Sequence, residues 1–257
     1  MPEAKSIIGA PCWVDLMTSD VSGARKFYGE LLGWDAEEAQ EKFGGYFNFT
    51  KDGGRMAGCM PKMQADLPDV WSVYLTTEDA KQTVDAAVAK GSQVLVEPMD
   101  VDTLGTMAVV TDPTGAAIGM WKPAEHQGFA KVGEPGTPGW FELHSRNYAE
   151  CVAFYRDVFG WTPESVGDTD EFRYTVFKQG EEMYAGIMDS SGFLPDDVPA
   201  HWAVYFAVDD TDAALAKIGS LGGATTQAAE DTPYGRLAGA TDPYGANFRL
   251  VGPNVAQ

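Results

Sequence analysis

The sequence predicts an α+β protein built as two similar domains, each a pair of βαβββ units. Two observations carry that prediction. Blocks of residues return at an offset of about 130 positions, which marks an internal repeat. Trp13-Val14-Asp15-Leu16 returns as Trp140-Phe141-Glu142-Leu143, Phe27-Tyr28 as Phe154-Tyr155, and Trp71-Ser72-Val73-Tyr74 as Trp202-Ala203-Val204-Tyr205. Thr111-Asp112-Pro113-Thr114-Gly115 returns as Thr241-Asp242-Pro243-Tyr244-Gly245. Within each half the hydrophobic period changes in one order, from alternation to a helical stripe and back. Helices set among runs of short strands are an α+β pattern.

Residues 12–17 alternate, with Val14 and Leu16 on one side and Trp13, Asp15 and Met17 on the other, as a strand requires. A polar turn at Asp20 leads into a helix over 22–32, and Gly33 stops it. Short strands follow around Ala36 and over 46–49 and 55–60. The next unit repeats the order: a strand over 71–76, a helix over 79–90 with Gly91 as its stop, then strands over 94–97, 107–111 and 116–121. The Asp-Pro-x-Gly before the last strand is hairpin-turn chemistry. In the second half Phe141 and Leu143 oppose Trp140, Glu142 and His144, a helix runs from Asn147 through Phe154-Tyr155 to the stop at Gly160, and another spans 212–220. Residues 8–125 and 138–253 are therefore read as domains, and the Gly- and Pro-rich stretch 126–137 as their linker.

A formal net charge of -20 argues against nucleic acid and anionic membranes as partners, since both are bound through Lys and Arg. No apolar run approaches the ~20 residues of a membrane span, and the N-terminus lacks the pattern of a signal peptide. The expectation is a cytoplasmic protein. Cys12, Cys59 and Cys151 are far apart and form no CxxC pair, so they read as reduced, buried hydrophobes. No phosphate loop, nucleophile elbow or dinucleotide fingerprint is present, and no nucleotide cofactor is expected.

The strand followed by Asp20…Phe27-Tyr28…Leu32-Gly33-Trp34, the Val208-Asp209-Asp210 helix start and the Thr-Asp-Pro-x-Gly strand together resemble the vicinal oxygen chelate superfamily. That superfamily includes glyoxalase I, extradiol dioxygenases, fosfomycin-resistance enzymes and bleomycin-binding proteins. The resemblance covers nearly the whole chain, twice. It is closest to an actinobacterial two-domain branch labelled "hydroxylase" or glyoxalase-like, some of whose members are associated with anthracycline biosynthesis. It implies two glyoxalase-like domains whose curved sheets enclose a cavity. It also implies four metal-ligand positions per domain, normally His, Glu or Gln. Those positions fall on Trp13, Gly58 or Cys59, Ser72 and Gly119 in the first half, and on Trp140, Gly186, Ala203 and Arg249 in the second. None is His or Glu, so no metal and no cofactor is expected.

The chemistry left belongs to other residues. Asp15 and Glu142 hold equivalent places beside a Trp, where a carboxylate can orient a guest or take a proton. His144 shares the strand face of Glu142 and is a candidate acid or base; bonding to a neighbour at a rim is the alternative. His126 is expected to be solvated in the linker, and His201 to be structural. Trp13 and Trp140, which the resemblance turns into the cavity, suit a flat aromatic guest by stacking. Arg249 offers a fixed cation to a carboxylate or phenolate, in the second half alone. Asp15, Glu142 and His144 are thus the catalytic candidates, and Trp13, Trp140 and Arg249 the ligand-binding ones. The leading reading is a metal-independent protein that binds a small aromatic or carbonyl-bearing molecule, for sequestration or an accessory role in secondary metabolism. The alternatives are a glyoxalase-type lyase or oxygenase with a divalent metal at a non-standard site, and a metal-free isomerase or hydratase. The small-molecule ligand is the expected partner, and self-association into a homo-oligomer stays open.

Overall fold

The computed structural model describes residues 7–169 and 172–255. Its four helices are α1 (Val21–Leu32), α2 (Ala80–Ala89), α3 (Tyr148–Phe159) and α4 (Thr211–Ser220). Three of them start on an aspartate. Asp20, Asp79 and Asp210 each accept a hydrogen bond from the third backbone N–H beyond, of Gly23 (2.9 Å), Gln82 (3.0 Å) and Ala213 (2.9 Å). Each cap satisfies a donor that has no partner inside the helix. Gly33 (φ 72) and Gly160 (φ 70) end α1 and α3 in the left-handed conformation, which glycine adopts without steric cost.

The first half contributes strands β1 (Pro11–Thr18), β2 (Asp35–Ala36), β3 (Phe47–Lys51), β4 (Gly54–Pro61), β5 (Val70–Thr76), β6 (Val94–Val101), β7 (Gly105–Thr111) and β8 (Ala117–Pro123). The second contributes β9 (Pro138–Ser145), β10 (Pro163–Asp168), β11 (Arg173–Gln179), β12 (Glu182–Asp189), β13 (His201–Ala207), β14 (Ala224–Thr232), β15 (Gly235–Thr241) and β16 (Asn247–Gly252). Each half forms one curved eight-stranded sheet, in the orders β2-β3-β4-β1-β5-β8-β7-β6 and β10-β11-β12-β9-β13-β16-β15-β14. In every unit the last strand returns parallel to the first, and the two units of a half join through antiparallel β1–β5 and β9–β13. The expected α+β architecture, with four βαβββ units in two glyoxalase-like domains, is the one observed.

The helix-bearing faces of the two sheets meet in a shared core. Tyr28 of α1 packs against Trp71 of its own half and against Phe206 and Phe248 of the other. The repeated motifs lock the halves together reciprocally. Tyr28 Oη accepts from Trp71 Nε1 (3.0 Å) and donates to Asp242 Oδ2 (3.1 Å); Tyr155 Oη accepts from Trp202 Nε1 (2.8 Å) and donates to Asp112 Oδ2 (3.2 Å). The other oxygen of each aspartate holds its own turn, Asp112 through the N–H groups of Thr114 and Ala116, and Asp242 through those of Tyr244 and Ala246. Trp34 donates to the Gly136 carbonyl (2.6 Å), and Trp161 donates to that of Gly9 (2.8 Å).

The linker is not a free tether. Phe129 N donates to Cys12 O (2.9 Å), Ala130 N to Arg55 O (3.0 Å) and Gly136 N to Ala207 O (2.7 Å). His126 is accordingly not solvated as expected. The strapped linker presses its ring edge-on against Trp13, with centroids 4.3 Å apart, and burial pushes its pKa down to about 4, with Arg55 adding to the effect. Among the described residues no helix is long and apolar enough to cross a membrane.

Candidate functional site

The faces turned away from the shared core carry matching polar clusters. Strand pairing sets Trp13, Tyr74 and Gly119 in one row, Asn48, Gly58, Asp15 and Ser72 in the next, and Met60, Met17 and Val70 in a third. Residues paired in a row share a sheet face. Trp13 Nε1 donates to both Asp15 Oδ1 and Tyr46 Oη, each at 3.0 Å, and Tyr46 donates to Asp15 Oδ1 at 2.8 Å. Desolvation dominates at Asp15 and raises its pKa, with the Tyr46, Tyr74 and Trp13 donors offsetting only part of it.

The second half repeats the design with a stronger acid-base pair. Trp140 Nε1 donates to Tyr174 Oη (2.8 Å), which donates to Glu142 Oε2 (2.7 Å); Tyr205 donates to Glu142 Oε1 (2.9 Å). His144 Nε2 lies 3.0 Å from the same Oε1, but the two atoms are not aligned as a hydrogen bond, and this buried nitrogen has no hydrogen-bond partner. Its Nδ1 pairs with Ser190 Oγ at 3.2 Å, and its ring stacks on His201 with centroids 5.2 Å apart. Burial works to raise the Glu142 pKa, but His144 and the two phenols outweigh it and hold it below the ordinary value. Equivalent carboxyls are thus pushed in opposite directions, because His144 stands where the first half has Met17.

The tyrosines fit because of glycines at the positions where the superfamily's ligands were expected. A Cβ on Gly58 would lie 1.9 Å from Tyr46 Oη and 2.1 Å from Asp15 Oδ1, and one on Gly186 would lie 1.9 Å from Tyr174 Oη. A Cβ on Gly119 would lie 2.2 Å from the Tyr74 ring. Phenols therefore occupy the volume that ligating side chains would fill. A divalent metal of this type needs several converging imidazole or carboxylate donors. The first cluster offers one carboxylate, and the second adds the stacked imidazoles of His144 and His201 to its own. Among the described residues no group of three or more His, Cys, Asp or Glu is placed to hold a metal ion. The donors present do not fit the superfamily's metal.

Trp13, Asp15 and Tyr46 come together in one half; Trp140, Glu142, His144 and Arg249 share one face in the other. Arg249 sits opposite Tyr205, which sits opposite Trp140, and the Arg249 guanidinium bonds Gln227. The two tryptophans differ in cover. Trp13 is 4% exposed, stacked under Phe129 of the linker and edged by His126. Trp140 is partly exposed, and among the described residues no aromatic ring packs on it. Reading the sequence overlooked Tyr46, Tyr74, Tyr174 and Tyr205, which pass for core aromatics. The signal available was the Tyr three residues after each repeated Trp71 and Trp202. The cysteines are buried and free, and burial pushes the thiols of Cys12 and Cys151 up to about 12.

Comparison with known proteins agrees with this architecture. A family model, the Glyoxalase/Bleomycin resistance protein/Dioxygenase superfamily, matches residues 12–120 and 137–250. A "Putative glyoxylase CFP32" of Mycobacterium tuberculosis is 38% identical over 255 residues, 97% of each chain. "Anthracycline biosynthesis protein DnrV" of Streptomyces peucetius is 35% identical over 262 residues, covering 95% of this chain and 93% of its own. Among solved structures, the Mn(II)-bound glyoxalase of Novosphingobium aromaticivorans superimposes with a TM-score of 0.65 at 15% identity, over 95% of this chain and 82% of that one. The 2,3-dioxygenase LapB of Pseudomonas sp. KL28 gives 0.66 at 14% identity, over 98% and 94%. At such identities the structural likeness is one of fold.

Proposed function

Because the chain belongs to the glyoxalase/bleomycin resistance protein/dioxygenase superfamily, and because phenols fill its ligand positions, we propose that it binds a small aromatic or carbonyl-bearing molecule without a metal, on the second sheet. The observation that carries this reading is the contrast between the tryptophans. Trp13 is covered by the protein's own rings, whereas Trp140 has its indole nitrogen fixed by Tyr174 and is partly exposed. An indole held in place pays little further ordering entropy when a flat guest stacks on it. The Glu142, Tyr174 and Tyr205 cluster lies alongside and, through Tyr174, holds the indole in place. A relative named for anthracycline biosynthesis supports an aromatic guest and an accessory role.

The test is a fluorescence titration with quinizarin, a flat aromatic diketone. Trp140→Ala should weaken binding at least about tenfold, or ~1.4 kcal/mol, and remove most of the quenching. Trp13→Ala should leave both nearly unchanged. Equal affinity in the Trp140 variant would sink the assignment. The competing reading, a glyoxalase-type lyase or oxygenase with a divalent metal at a non-standard site, is favoured by the Glu142–His144 pair, two donors 3.0 Å apart. Near-stoichiometric metal in untagged protein, retained against chelator and lost in Glu142→Gln, would replace the first reading with this one.

A further inference from the structure

Comparing the two outward faces row by row isolates what distinguishes them. Met17 and Val70 pair in the first half where His144 and His201 pair in the second. Gly119 follows Tyr74 in the first row where Arg249 follows Tyr205. All three exchanges run from an apolar residue to a basic one. In a chain with 38 Asp and Glu against 18 Lys and Arg, this gathers a guanidinium and two imidazoles on the face of one carboxylate. That carboxylate already accepts from two phenols.

The groups are also under-used. Arg249 carries five N–H donors, yet among the described residues its side chain bonds only the Gln227 amide and no carboxylate. His144 is 3% exposed, and its Nε2 has no hydrogen-bond partner. Arg249 lies two strands from Trp140 on the same face. At a strand spacing of about 4.8 Å, their backbones are roughly 10 Å apart, a separation comparable to the length of a two- or three-ring aromatic. A guest of that length stacked on Trp140 extends across Tyr205 towards Arg249, while Glu142 lies on the neighbouring row with its charge engaged by Tyr174 and Tyr205.

From this we infer that the second face selects an aromatic guest bearing an anionic oxygen, a carboxylate or phenolate, which docks on Arg249. The inference rests on the binding reading above and adds the charge of the guest. The guanidinium suits it, because its planar fork pairs with a carboxylate through two parallel bonds.

The test uses the full-length protein and matched probes, naphthoate and naphthamide, titrated by tryptophan fluorescence. Naphthoate should bind at least tenfold tighter than naphthamide. Arg249→Met should abolish that preference by lowering naphthoate affinity to the naphthamide level, and Arg249→Lys should retain part of it. Added salt should weaken naphthoate alone. A nitrophenol probe, titrated above and below its own ionisation, separates the two sources: tighter binding only when ionised identifies phenolate as accepted, and indifference restricts the site to carboxylates. Equal binding of naphthoate and naphthamide, both weakened by Trp140→Ala, would overturn the anion assignment and keep the binding reading. A preference that survives Arg249→Met overturns it as well. Absence of quenching by either probe overturns both readings together.

Discussion

Replacing Tyr28 with Phe deletes one oxygen and keeps the ring. Tyr28 is 0% exposed, and its hydroxyl accepts from Trp71 Nε1 at 3.0 Å and donates to Asp242 Oδ2 at 3.1 Å. A net hydrogen bond to a charged group contributes about 1.5–3 kcal/mol, and one between neutral groups about 0.5–1.5. The Trp71 N–H is left buried without a partner, while the other Asp242 oxygen keeps its bonds to Tyr244 and Ala246. The expected loss is about 3 kcal/mol. For a chain of this size each kcal/mol lowers Tm by about 2–4 °C, so the midpoint should fall by roughly 9 °C. Tyr155→Phe removes the mirror-image pair, to Trp202 and Asp112, and should cost a similar amount. Both hydroxyls bridge the halves, so each variant should still melt in one transition, with the whole curve shifted. Denaturant unfolding followed by circular dichroism and by fluorescence, with calorimetry, measures this. Two variants within about 0.5 kcal/mol of the parent would refute the reciprocal lock, and so would a variant in which one half melts alone.

Two further outcomes are expected. Gly186→Ala puts a methyl 1.9 Å from Tyr174 Oη, so it should drive the phenol off Glu142, destabilise the fold by about 1–3 kcal/mol and weaken quinizarin binding; an unchanged protein would contradict the packing described. Acidification should weaken the fold partly through His126, whose pKa burial lowers from its ordinary 6.5 to about 4. Between those values the unfolded chain holds the extra proton, so this contribution is intact above 6.5 and is lost as pH falls towards 4, at up to about 1.4 kcal/mol per unit. Glu142, whose folded pKa is lowered, acts in the same sense below the ordinary carboxylate range. Stability measured against pH should be flatter in His126→Asn, and an equal slope would show that His126 does not carry it.

The parts governed by local chemistry could be read directly from the order of the residues. The strand alternation at Trp13–Met17 and Trp140–His144, the helix spans and the glycine stops at Gly33 and Gly160 were legible because each depends on neighbours within a few residues, and the repeat because the same residues return in the same order. That is enough for four βαβββ units. Which aromatic does what was not legible. Tyr28 and Tyr46 look alike in the chain, yet one locks a helix to the opposite half and the other caps Asp15, since sheet register and the gap left by Gly58 decide what each hydroxyl reaches. His126 read as a solvated residue of a Gly- and Pro-rich linker, but bonds to Cys12 and Arg55 fold that linker over Trp13. Tertiary structure alone therefore separated the covered Trp13 from the partly exposed Trp140. It also pushed Asp15 and Glu142 apart in acidity, because a pKa depends on burial and on facing charges that only the folded chain brings into range.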